Sequence, residues 1–459
     1  MAIVIKIGGS NLQNSNSLIK VREVVAHYNQ PVVLVVSAFK GLTDRLFSII
    51  SNPHTTKKEV SGFIDELCKR YQPILEGQFS DGEIRDHVSK VFYQRLDKLE
   101  ELLTAVRLMG EVPDFIEDEI VSSGERFSSL ILAGFLRQTG LDYSEALPEE
   151  IGLITDGEFH NASVDLVKSV VNLKKAFAGN RSYVVPGFYG LSEEGKTTVF
   201  GRGGSDYSAA VIAACLEAES LDVWKDVDGY MSGDPVILES PQQIENLSYS
   251  EAAELSYFGA HILHPRTVEP LKSAGIPIRI FNYKQVVRGL LPFTRIEAHP
   301  VYDPRVIKSV TSSDGFGTLT LRGPGVGIKP GILARVTTEL DRNRINIKSV
   351  ITTQVAISLL LDEKDLALAS EITKSLNIHG IDAVDNAGKL SLVAAVGEGI
   401  LEEPGVAARI FTAVAREKIN IRLTSFGASK VAVYFLVNRD DRNLALKSIH
   451  NEFFNHPKN

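Results

Sequence analysis

Short apolar runs, rich in β-branched and aromatic residues, recur through the first two-thirds of the chain. IVIKIGG begins at Ile3, PVVLVVSAF at Pro31, SYVVPGF at Ser182, LDVWKDV at Leu221 and IPIRIF at Ile276. Between them lie stretches with helical spacing, such as FSSLILAGFLRQTG from Phe127 and SDYSAAVIAACLEAES from Ser205. Continuous apolar strands alternating with helices predict a largely parallel sheet between helical layers. The segment Ser51 to Pro113 is richer in charge and apolar at helical spacing, and reads as a helical insertion in that domain.

The last third has a different rhythm. PGILARVTTELDRNRINI begins at Pro330 and PGVAARIFTAVAREKINI at Pro404, 74 residues on, and the shared Ile-Asn-Ile keeps that offset. Each copy of this internal repeat has a strand (TLTLRG, LSLVAAVG), a glycine-marked turn, an amphipathic helix and further strands (VAISLLLD, KVAVYFLV). That order predicts two βαββαβ ferredoxin-like units. Such units expose sheet edges, which commonly pair with another copy. The turn-rich EAHPVYDPR around Pro300 is the best boundary between the two parts.

The length, 459 residues, allows two to four domains. With 44% hydrophobic and 23% charged residues the composition is that of a soluble protein with a full core. A net charge of −8 gives no support to a nucleic-acid partner. Two cysteines, Cys68 and Cys215, far apart in predicted helices, point to a reducing compartment without a disulfide framework. The start MAIVIKIGGS is broken by glycine too early for a signal peptide, and no apolar run is long enough to span a bilayer. The expected location is cytoplasmic, with no membrane association.

Several polar clusters could carry chemistry. Lys6 precedes Gly8-Gly9-Ser10 at a strand end, where glycines let backbone N–H groups approach an anion and a lysine offsets phosphoryl charge. The alternative is a tight turn beside a surface lysine. In GRGGSDYSAA, Gly203 and Gly204 permit close approach, and Ser205 and Asp206 stand at a helix start where capping and the dipole favour them. Arg202 offers a planar fork for a carboxylate. Glu125, in SSGERF, is placed early in an apolar helix, either as a first-turn carboxylate or as a counter-ion for a substrate ammonium. Ser37 and Thr43 flank a loop after a buried strand, on the side where open α/β sheets bind ligands. His261 and His264, at i, i+3, lack an acidic or cysteine partner, so no metal site is expected.

One motif misleads. GLSEEGKTT, Gly190 to Thr198, matches the phosphate-loop pattern G-x-x-x-x-G-K-[ST], but the following TTVFGRGG favours an extended segment over the helix such a loop needs. Glu193 and Glu194 would repel phosphate from inside the loop. The stretch is expected to be a β-hairpin tip.

Together these stretches resemble the aspartate kinases, of the amino-acid kinase fold. KIGGS is similar to that family's K-F-G-G-T-S start; SSGE, VFGRGGSDYSAA, VWKDVDG and ELSYFGAHILHPRT follow in family order. The tandem repeat resembles the family's pair of ACT regulatory domains. The phrasing is especially similar to the kinase half of bifunctional aspartokinase–homoserine dehydrogenases, and the chain stops at Asn459 without a dehydrogenase half. The resemblance implies a catalytic α/β domain over 1–297 and ACT units over 313–385 and 386–459, to the second of which the strand 305–311 could be added. It implies ATP-dependent phosphorylation of the side-chain carboxylate of L-aspartate, with Mg²⁺ on the phosphates, and an amino-acid effector at the ACT units of a homodimer or higher homo-oligomer. Carried over by position, Lys6, Gly8, Gly9 and Ser10 would hold the phosphate. Lys6 and Asp206 would serve catalysis. Arg202, with Gly203 and Ser205, would clamp the α-carboxylate. Glu125, helped by Asp206, would face the α-ammonium, and Ser37 and Thr43 would line the pocket. Lys225, Asp226, Met231 and His261 would border the nucleotide.

Departures from the family pattern cluster on the nucleotide side. Lys225 stands where the family usually has threonine, Met231 and Val236 replace a tyrosine and an arginine, and His261 replaces a lysine. Lys348 occupies an ACT position that is usually acidic, which leaves the effector open between lysine, threonine and none. Two other readings stay open: a kinase of the same fold acting on another small carboxylate, and a non-catalytic amino-acid sensor with a weakened ATP site.

Overall fold

The structure, a computed structural model, describes residues 2–52, 55–260, 262–288, 292–299 and 305–455. The chain folds into two compact units, Met1–Tyr230 with Gln243–Ser256 and His261–Tyr302, and Met231–Gln242 with Tyr257–Ala260 and Asp303–Asn459.

Ten strands belong to the first unit: β1 (Ile3–Ile7), β2 (Val32–Val36), β3 (Tyr143–Glu145), β4 (Ser182–Pro186), β5 (Tyr189–Leu191), β6 (Thr197–Val199), β7 (Leu221–Lys225), β8 (Asn246–Ser248), β9 (Ile278–Asn282) and β10 (Thr294–Glu297). Eight of them form one sheet in the order β3-β4-β2-β1-β7-β9-β10-β8, in which only the β9–β10 pair is antiparallel. All five residues of β1 and of β2 are buried, as expected for strands covered on both faces. The predicted strands match β1, β2, β4, β7 and β9. The three-residue β3 and β8 and the four-residue β10 carry no apolar run of their own, and the sequence pattern does not predict them.

The helices of this unit, in chain order, are α1 (Ser15–Val25), α2 (Leu42–Ile50), α3 (Lys57–Gly77), α4 (Gly82–Met109), α5 (Asp114–Gln138), α6 (Pro148–Ile151), α7 (Leu166–Ala176), α8 (Gly204–Leu216), α9 (Tyr249–Tyr257) and α10 (Pro265–Ala274). The helical insertion is α3 and α4. Thr56 and Glu59 close a capping box at the start of α3, and the Asp81 side chain caps α4. Tyr71 of α3, Phe92 of α4 and Phe127 of α5 meet at ring separations of 5.0–5.8 Å, and Phe39, from the loop after β2, packs edge-on to Tyr71 at 5.4 Å. This apolar knot fixes α5 and the β2 loop together.

The second unit holds one six-stranded antiparallel sheet, made of β11 (Ser309–Arg322), β12 (Ile347–Thr352), β13 (Ala356–Asp362), β14 (Ala383–Val396), β15 (Leu423–Ser425) and β16 (Ala432–Asn438), in the order β12-β13-β11-β14-β16-β15. Its helices are α11 (Ile332–Arg342), α12 (Leu366–Ser375), α13 (Val406–Arg416) and α14 (Arg442–His450). The repeats do not make separate sheets. Strands β11 and β14, 14 residues each, run antiparallel along their whole length, so the start of β11 (Ser309–Ser313) pairs with the end of β14 (Leu392–Val396). Each repeat nonetheless keeps its own core: Val336 and Leu340 of α11 with Leu359 and Leu361 in one, Ile410 and Val414 of α13 with Val433 and Phe435 in the other. Among the described residues, no helix is long and apolar enough to cross a membrane.

Candidate active site

The C-terminal ends of β1 and β2 open onto a cavity of about 750 Å³ lined by Lys6, Gly9, Ser10, Ser37, Thr43, Glu125, Arg202, Gly203, Ser205 and Asp206, among others. Sequence-distant stretches are thus brought to one place, at the strand ends where open α/β sheets bind ligands. Lys6 is buried as the penultimate residue of β1, not a surface lysine beside a turn, and Gly9–Asn11 follow as a single 3₁₀ turn. The Asn11 side-chain amide, which the sequence pattern does not single out, donates to the Trp224 carbonyl at 2.9 Å and so ties this turn to the end of β7.

At the floor sits a buried charge cluster. The Lys6 ammonium pairs with one carboxylate oxygen of Asp206, and the Lys225 ammonium with the other at 3.1 Å. The register explains the convergence. Lys6 is the cross-strand partner of Val223 in β7, and Lys225 lies two residues further along, on the same face of the sheet. Asp206, in the first turn of α8, covers that face. Burial alone would raise the Asp206 carboxyl, but the Lys225 and Lys6 charges more than reverse this and hold it well below the usual carboxylate range. Burial in turn draws the Lys6 ammonium below its ordinary value, against the pull of Asp206.

Glu125 is not an early-helix carboxylate. Helix α5 starts at Asp114, so Glu125 stands mid-helix and the first-turn explanation falls away. Gly124 sets its place: a Cβ there would come within 2.7 Å of the Ala38 Cβ, so only glycine lets α5 press against the loop after β2. Burial pushes the Glu125 carboxyl up to about 8, opposed by the Ala38 backbone amide, by Lys6 and by the Ser205 hydroxyl. One of its oxygens, fully buried, has no hydrogen-bond partner. A neutral or mispaired carboxyl at the edge of a cavity is poised for a cationic ligand.

The start of α8 departs from expectation in one detail. Its N-cap is Gly203, in the left-handed region (φ 75°), without a side-chain cap, so neither Ser205 nor Asp206 caps the helix. Gly203 is obligatory on packing grounds too, since a Cβ would meet His264 at 2.4 Å. His264 instead caps α10, a structural role. Arg202 lines the cavity with an exposed side chain, at its mouth.

Part of the rim is invisible to sequence reasoning. His160, Glu117 and Phe188 also line the cavity. The His160 ring lies 3.0 Å from Asp118 and 3.1 Å from Asp114, and the Asp118 carboxylate accepts from the backbone amides of His160 and Val199. His160 and Phe188 both adopt positive φ (65° and 79°), a costly state for residues with a Cβ, of order 1–3 kcal/mol. No local pattern announces such residues; for Phe188, the one hint is its place at the end of SYVVPGF.

Of the remaining candidates, Gly8 is buried directly under the Lys6 ammonium, 3.3 Å from where its Cβ would stand. Asp226 is exposed just beyond β7. Met231 falls in the second unit. His261 lies outside the described residues. The apparent phosphate loop is an antiparallel hairpin, β5 and β6, with Ser192–Lys196 at its turn, and strand β6 rather than a helix follows Lys196 directly. Lys196 is exposed, its ammonium 4.9 Å from the Phe115 ring centre, and Glu193 pairs with Lys168.

Residues 1–282 match the amino acid kinase family, and residues 311–373 and 393–453 each match an ACT domain. The chain belongs to the amino acid kinase family. With its kinase domain followed by two ACT domains, it has the architecture of an aspartokinase. It is similar to the bifunctional aspartokinase/homoserine dehydrogenase 2, chloroplastic, of Arabidopsis thaliana, at 28% identity over 98% of this chain and 50% of that one. The chain therefore spans about half the length of the bifunctional relatives it matches. Its fold is similar to E. coli aspartokinase III in complex with aspartate and ADP in the R-state (TM-score 0.85, 25% identity, 99% of this chain and 100% of that one). It is similar also to the same enzyme in complex with lysine and aspartate in the T-state (TM-score 0.78, 26% identity, 99% of each chain).

Lys196→Ala should leave nucleotide affinity within about twofold, because an exposed cation at a hairpin tip contributes little. Titration calorimetry with ADP reads this; loss of ADP binding in a folded variant would reinstate the phosphate-loop reading.

Proposed function

We propose that the chain is an aspartate kinase, transferring the γ-phosphoryl group of ATP to the side-chain carboxylate of L-aspartate to give 4-phospho-L-aspartate, the first step toward lysine, threonine and methionine. The observation that carries this reading is the cavity at the strand ends. It sets a net-positive lysine cluster beside a buried carboxyl with an unpaired oxygen and an arginine at the mouth. An amino acid presents the matching charges: an ammonium for Glu125, an α-carboxylate for Arg202, and a second carboxylate to reach the phosphoryl group.

In the reaction a carboxylate oxygen forms a bond to phosphorus and the bridging P–O bond to ADP breaks. No proton moves, because the attacking carboxylate is ionised near pH 7. The chain's residues therefore have to align and neutralise. Lys6 offsets charge on the transferring group, with Gly8, Gly9 and Ser10 offering close backbone approach. Ser205 and Gly203 support the α-carboxylate clamp at Arg202, and Ser37 and Thr43 shape the wall. Lys225 and Asp226, at the end of β7, face the nucleotide. Among the described residues, no group of three or more His, Cys, Asp or Glu side chains could hold a metal. Mg²⁺ would enter as the nucleotide complex, with phosphate oxygens supplying ligands and the ion supplying charge neutralisation.

The ACT domains support control by a free amino acid. Lysine is the ligand of the T-state E. coli relative, while here Lys348 pairs with Asp362 at 3.6 Å. The sheet of the second unit ends in β12 and β15, two edges free for pairing with another copy, which supports a homodimer or higher homo-oligomer. A cytoplasmic setting agrees with two free cysteines, Cys68 and Cys215.

Coupled ADP release with aspartate, against a panel of other amino acids and with lysine, threonine and methionine as effectors, tests the proposal. Aspartate should be the preferred acceptor. Arg202→Ala should raise its KM by about tenfold or more, the loss of a charge-assisted pair near the surface. ATP turnover equal for every acceptor, or for none above background, would overturn the reading.

Glu125 predicts a pH profile. With its carboxyl at about 8, the free site is mostly neutral at pH 7 and must give up a proton to pair with an ammonium. Aspartate kcat/KM should therefore climb from pH 6 to about 8, by up to tenfold per unit for one proton. Glu125→Gln should weaken binding and flatten the climb. A wild-type profile already flat across this range would remove Glu125 from ammonium recognition.

A further inference from the structure

The cluster of Lys6, Asp206 and Lys225, of which Lys6 and Asp206 line the cavity, carries more positive charge than the Asp206 carboxylate balances. Lys6 and Lys225 each take a different oxygen of Asp206, and among the described residues neither ammonium has another ion-pair partner. An ammonium carries three N–H donors, so a single carboxylate oxygen leaves donors on both lysines unspent. Both side chains are largely buried, at 6% and 17% exposure, where water offers little compensation. Two cations and one anion in a low-dielectric pocket invite a further anion. The backbone geometry agrees. Both lysines project from one sheet face at the ends of adjacent parallel strands, and the N-terminus of the 13-residue α8 adds its partial positive charge to the same spot.

We propose that Lys225 is a second phosphate-facing cation, held at the reacting end of the cavity by the carboxylate it shares with Lys6, and that it stabilises the phosphoryl group during transfer. This rests on the kinase reading above and adds a residue to its machinery. A lysine that only balanced Asp206 would be redundant, because Lys6 already does so. Asp206 is the positioning residue: it fixes the separation of two ammonium groups that would otherwise repel one another.

The test compares wild type, Lys225→Met, which keeps length and removes charge, and Lys225→Arg, which keeps charge. Two readouts are taken: binding of inorganic tripolyphosphate by calorimetry, and steady-state turnover with ATP and aspartate. Lys225→Met should bind tripolyphosphate about tenfold more weakly and lose about a hundredfold or more in kcat, with aspartate KM within about threefold. Lys225→Arg should recover most of the tripolyphosphate affinity and part of the turnover. A purely structural lysine would change thermal stability without this split. Equal tripolyphosphate affinity in wild type and a folded Lys225→Met overturns the proposal. If wild type binds tripolyphosphate through Lys225 but does not phosphorylate aspartate, it is the kinase reading that fails.

Discussion

One carboxylate shared by two lysines organises the cavity end of the first unit. Asp206 keeps its charge in its buried place because ammonium groups lie against it, since an isolated ionised carboxylate there would be costly to desolvate. The lysines depend on it in turn, because without it two like charges would face one another in a nearly dry pocket. The arrangement is imposed by the sheet. Parallel pairing of β1 with β7 sets Lys6 opposite Val223 and so puts Lys225 on the same face, while α8 delivers Asp206 from above.

The rest of the first unit supports that cluster. The knot of Tyr71, Phe92, Phe127 and Phe39 locks the helical insertion to α5 and to the loop after β2. The close approach at Gly124 then brings Glu125 to the cavity wall. Arg266, at the start of α10, donates to the carbonyls of Phe200 and Ala162 and to the Asn161 side chain, which pins the chain leading into α8. A rigid frame of this kind suits phosphoryl transfer, where alignment and charge, rather than proton transfer, limit the rate.

Much of this is legible in the sequence because the informative signals are local. Buried strands of five residues announce themselves as apolar runs, and glycine-rich corners mark close backbone approach. The false phosphate loop can be rejected because a true one needs a helix that TTVFGRGG cannot supply. What escapes depends on pairing between distant segments. β3, β8 and β10 take their strand character from neighbours rather than from their own composition. The repeat is visible, but the pairing of β11 with β14 along their full length is not, because nothing in either strand specifies which sheet it joins. Glu125 is recognisable as a candidate yet easily misplaced along its helix, since the helix start at Asp114 carries no strong cap, Pro113 standing at the N-cap without a side-chain hydrogen bond. Lys225 stands out in the sequence only as an unexpected residue; its meaning requires the register.

The shared carboxylate can be examined directly by following the ¹³C resonance of the Asp206 side-chain carboxyl against pH in the intact protein. With two ammonium groups holding it, the signal should stay at its ionised position from pH 8 down to about 3, below the ordinary aspartate range near 3.9. A midpoint at about 4 or above would mean that Asp206 does not hold both lysines, and would contradict the cluster on which the site is built.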